Sequence, residues 1–95
     1  MLLLFSYNLS SFVKKIVIDA LTPRDTSVLD LAKALCDISG IHEVDLTVVE
    51  VDAKTETVKL TLHGNNVDYD NISKVISDHS STIRSIDEIN VSKLN

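Results

Sequence analysis

Cysteine, glycine, proline and aromatic residues are all scarce in this 95-residue chain. Its one cysteine, Cys36, excludes an internal disulfide framework and fits a reducing compartment. Two glycines, Gly40 and Gly64, cannot build a phosphate-cradling loop, and no P-loop or dinucleotide fingerprint is present. The aromatics are Phe5, Tyr7, Phe12 and Tyr69, none in a basic strand motif, which argues against a base-stacking sheet. The core must therefore consist of Val, Ile and Leu.

Basic charge is also in short supply. Nine basic residues face fourteen acidic ones, for a net charge of −5. The basic residues are scattered, so the chain lacks the patch that phosphate backbones require, and nucleic acid is not an expected partner. No run approaches the ~18–20 apolar residues of a membrane span, so no membrane partner is expected. The apolar start, Met1 to Phe5, has no charge before Lys14 and is interrupted by Ser6, Tyr7 and Asn8, unlike a secretory signal. We expect a cytoplasmic protein with an extension over 1–11, a folded domain over 12–91 and a tail over 92–95.

What is present is a change of apolar period. It alternates between two and three-to-four in the order strand, helix, strand, strand, helix, strand. That order predicts an α+β, ferredoxin-like split βαβ fold (βαββαβ), with a four-stranded antiparallel sheet in the order 4-1-3-2 and two helices on one face. The first strand runs from Phe12 to about Leu21, and Thr22-Pro23 stops it. Asp25, Thr26 and Ser27 are candidate caps of the first helix. Its apolar stripe is Val28, Leu31, Ala32, Leu35 and Cys36, which makes Cys36 a core thiol. Gly40 fits a left-handed position after it.

The second strand, His42 to Val51, turns Val44, Leu46 and Val48 inward. Asp52 to Thr55 reads as a four-residue hairpin loop. The third strand, Glu56 to His63, turns Val58, Leu60 and Leu62 inward and Lys59, Thr61 and His63 outward. Asp68 caps a helix ending near His79. The last strand runs from Thr82 to Val91. Ile83, Ile86 and Ile89 lie three apart there, which signals a bulge or an early end. On these faces Val17, Leu21, Val49, Val51 and Ile86 share the open side of the sheet, too apolar for water alone. We therefore expect a homo-oligomer.

Two acidic groups are candidate sites. Asp19 would lie near Asp87 and Glu88, and carboxylates at that spacing can hold a hard cation such as calcium or magnesium. The plainer reading is that Asp19 pairs with Lys59 or Lys15 or caps a turn. Glu50, Asp52 and Glu56 surround the hairpin, where they either trap a cation or remain a solvated turn. Asp68 and Asp70 complement a helix dipole. His42, His63 and His79 lie in different elements without zinc spacing, no EF-hand loop is present, and no serine sits in a nucleophile elbow.

Several segments resemble one small archaeal family, domain of unknown function 211. They are Asp19-Ala-Leu21-Thr-Pro23, Gly40-Ile-His-Glu-Val44 through Asp52, Thr55 through Asn65, Asp68-Tyr-Asp70-Asn-Ile72 and Ile83 through Ile89. Together they span about Val13 to Ile89. The resemblance implies a ferredoxin-like fold and assembly into rings, and it brings no catalytic residues. The expected function is an oligomeric, non-enzymatic binding module for a small ligand or divalent cation. The alternatives are a ligand-free scaffold and an acid–base enzyme using Asp19 or Glu50.

Overall fold

The computed structural model describes residues 11–93. The extension before Ser11 and the last two residues of the tail lie outside the described residues. The elements are β1 (Ser11–Pro23), α1 (Val28–Cys36), β2 (Ile41–Val51), β3 (Thr55–Gly64), α2 (Tyr69–Asp78) and β4 (Thr82–Lys93). The strands form one antiparallel sheet in the order β2-β3-β1-β4. This is the predicted ferredoxin-like arrangement.

Period-two alternation builds the core. Ile16, Ile18 and Ala20 of β1 and Val58, Leu60 and Leu62 of β3 are buried in one cluster with Leu31 and Leu35 of α1 and Ile72 and Ile76 of α2. Both helices therefore cover the same sheet face. Each has a side-chain cap: the Ser27 hydroxyl accepts from the Asp30 amide at 3.1 Å, and Asp68 accepts from the Asp70 amide at 2.9 Å. Each cap satisfies an amide that the helix itself leaves unpaired.

Several details differ from the sequence expectation. β1 continues through Pro23, which pairs with Thr55. Its pairing with β4 ends at Leu21, so the missing proline N–H costs no ladder bond on that side. The hairpin has three residues, Asp52 to Lys54, between the strands, and the Asp52 amide donates to the Thr55 carbonyl at 2.8 Å. Cys36 is exposed: α1 ends there, and its buried positions are Leu31 and Leu35. Gly40 has the expected positive φ, +93°, but lies beyond the helix cap Asp37, in the turn leading to β2.

The largest correction concerns the faces. Register shifts between β1 and β4 leave Lys14 of β1 and Arg84 and Asp87 of β4 without opposed partners. These are bulges, and the two in β4 decide between the bulge and the early end that the three-residue isoleucine spacing left open. They place Ile83, Ile86 and Ile89 opposite Ala20, Ile18 and Ile16, on the helix side. Ile86 therefore does not belong to the open face. A shift in β2 likewise leaves Val49 unopposed, so Glu50 faces Thr57 and Val51 faces Glu56. Val51 thus shares the helix side with Val58. Val17 is on the open face, yet it is only 4% exposed.

Candidate functional site

With those faces assigned, the open side of the sheet is a grid of polar residues. The register aligns Glu43, His63, Lys15 and Asn90 in one row across β2, β3, β1 and β4. The next row holds Asp45, Thr61, Val17 and Glu88, and the one after it Thr47, Lys59, Asp19 and Ser85. Lys15 pairs with Glu88 at 2.7 Å, and Arg84 pairs with Asp19 at 3.1 Å. Val17 sits in the register between Thr61 and Glu88, with Lys15 and Asp19 two residues away on the same face, and the stems of long charged side chains can cover apolar surface.

One group on this face has the makings of an ion site. Glu43, Asp45 and His63 each offer a ligand atom, and these atoms lie within 4.8 Å of one another. Local structure explains the convergence. A register shift leaves His42 unopposed between Ile41 and Glu43. Ile41 can then enter the core while Glu43 turns to the open face opposite His63. Asp45 follows two residues along β2 on the same side. The His63 Nε2 lies 3.4 Å from Asp45 Oδ2. His63 is half-buried, whereas Glu43 and Asp45 are exposed.

The residues singled out from sequence occupy other surroundings. Asp19 is held by Arg84, rather than by Lys59 or Lys15, and Glu88 by Lys15. Lys15 holds the Glu88 carboxyl below its ordinary value of 4.5, first by its hydrogen bond and then by its charge. The Asp87 carboxylate accepts from the Ser85 hydroxyl at 2.7 Å. Glu50 faces Thr57, Glu56 is half-buried between Thr22 and Val51, and the Asp52 carbonyl accepts from Arg24 at 3.5 Å. Among the described residues, none of these six joins the three-donor group. Sequence reasoning placed His63 outward and Asp45 on the outer side of β2. It did not single out Glu43, which shares the outward side of Asp45, because alternation gives the face of a residue and not the register that sets Glu43 opposite His63.

The fold and the grid define a small ferredoxin-like α+β domain with a polar open sheet and a His–carboxylate group near one edge. Residues 14–94 match the DUF211 family, described as "Uncharacterized ArCR", and the chain belongs to that family. It is 43% identical over 77 residues to the uncharacterized protein MJ0319 of Methanocaldococcus jannaschii, covering 81% of this chain and 79% of that one. Among solved structures it is similar to LarC2, the C-terminal domain of a cyclometallase involved in the synthesis of the NPN cofactor of lactate racemase, in its apo form. That likeness has a TM-score of 0.50 and 17% identity, covering 87% of this chain and 58% of that one. The chain thus spans under two thirds of LarC2, and the likeness extends to the fold alone. No helix among the described residues is long and apolar enough to cross a membrane.

Proposed function

We propose that the protein is a non-catalytic binding module for a divalent transition-metal ion held by Glu43, Asp45 and His63. The observation that carries this reading is the convergence of their ligand atoms within 4.8 Å on an open sheet face. One imidazole and two carboxylates suit zinc, manganese, cobalt or nickel better than calcium or magnesium, which favour all-oxygen shells. Three protein ligands leave positions for water or a small ligand. Both carboxylates are exposed on an open sheet face rather than set in an enclosed pocket, which favours ion binding over catalysis.

Calorimetric titration of the full chain with zinc and manganese tests the proposal. The wild type is expected to bind one ion per chain, and His63→Ala to bind it at least ~10-fold more weakly. Asp87→Asn, which alters a carboxylate outside the group, is expected to leave affinity unchanged. Equal binding by wild type and His63→Ala would remove His63 from the site. Binding should also weaken on acidification, because protons compete for imidazole and carboxylate ligands.

A second reading, a self-associating scaffold, has its own support. Tyr69, Ile86, Ile89 and Val91 expose apolar surface around β4, as do Val48 and Val49 on β2. Patches of this kind mark association surfaces in soluble proteins. Native mass spectrometry with and without a chelator separates the readings. A multimer unaffected by chelation supports the scaffold, and one that loosens supports a metal-linked assembly.

A further inference from the structure

We draw no further inference here: the strongest candidate, the apolar cleft between the start of α2 and the outer strand β4, lined by Val13, Tyr69, Ile86 and Ile89, is the surface already offered for self-association, and nothing else in the structure shows what covers it.

Discussion

A methyl group on Gly64 would overlap the carbonyl group of Gly40, because the turn before β2 lies directly on the end of β3. The same Gly40 carbonyl accepts from the Asn65 amide at 2.8 Å, so the two segments are tied together. Gly64→Ala must move backbone rather than a flexible side chain. We expect it to destabilise the protein by on the order of 2–3 kcal/mol, read as a lower urea midpoint. An unchanged midpoint would mean that the turn can yield. A second residue-scale expectation concerns pH. Lys15 lowers the Glu88 carboxyl below 4.5. A group whose pKa is depressed on folding contributes stability above its unfolded value and loses it as pH falls through the folded one. The pair should therefore stabilise fully at neutral pH and fade as pH drops below 4.5. Glu88→Gln should be slightly less stable than wild type at pH 7, and this difference should vanish in acid and shrink in high salt. A difference that persisted at pH 2 would point to packing instead. The site residues were partly legible at this scale. Alternation alone turned His63 and Asp45 outward, and Glu43 with Asp45, but it does not give the register that sets Glu43 opposite His63.

Both helices begin at residues whose side chains reach back to a first-turn amide, and this was readable from composition: Ser27 was among three candidates and Asp68 was the one candidate before its helix. The Asp68 carboxylate also accepts from the Asn71 side chain at 3.3 Å. Asp68→Ala is expected to cost about 1 kcal/mol, with loss of the cap and of its favourable charge near the helix N-terminus. Chemical denaturation monitored by circular dichroism would measure it, and Asp68→Asn should restore most of the loss. A cost shared equally by the Asn variant would shift the weight from hydrogen bonding to charge. Element order, sheet order and the inward faces of β1 and β3 were legible because those strands are central and alternate cleanly. The edge strands were not. β2 and β4 each pair on one side, and they carry the bulges that reverse face assignments at Val51 and Ile86. A bulge changes which face every later residue occupies, so an error of one residue moves the apolar side chains of half a strand. The isoleucine spacing in β4 announced the irregularity without showing its direction.

At the scale of the whole molecule, the reassigned faces change where association would occur. The open sheet face carries charge pairs and buries Val17 without help, so it does not require a cover. The surplus apolar surface lies on the helix side instead, where α2 leaves the outer row of β4 uncovered. Ile86 is 42% exposed, Ile89 56% and Tyr69 37%. A chain of this length is short of buried apolar area, so covering that row with a second copy would add stability that rises with protein concentration. We therefore expect the double substitution Ile86→Ser and Ile89→Ser to shift the protein toward monomer in native mass spectrometry. Both side chains are already substantially exposed in the single chain, so the variant should still fold. Its metal affinity should hold if Glu43, Asp45 and His63 act within one subunit, because they lie on the opposite face of the sheet. Assembly unchanged by the double substitution would rule out the β4 row as the contact, and the exposed Val48 and Val49 of β2 would be the next surface to alter. Loss of metal binding together with loss of assembly would show that the ion needs the neighbouring subunit, and would join the two readings of function into one.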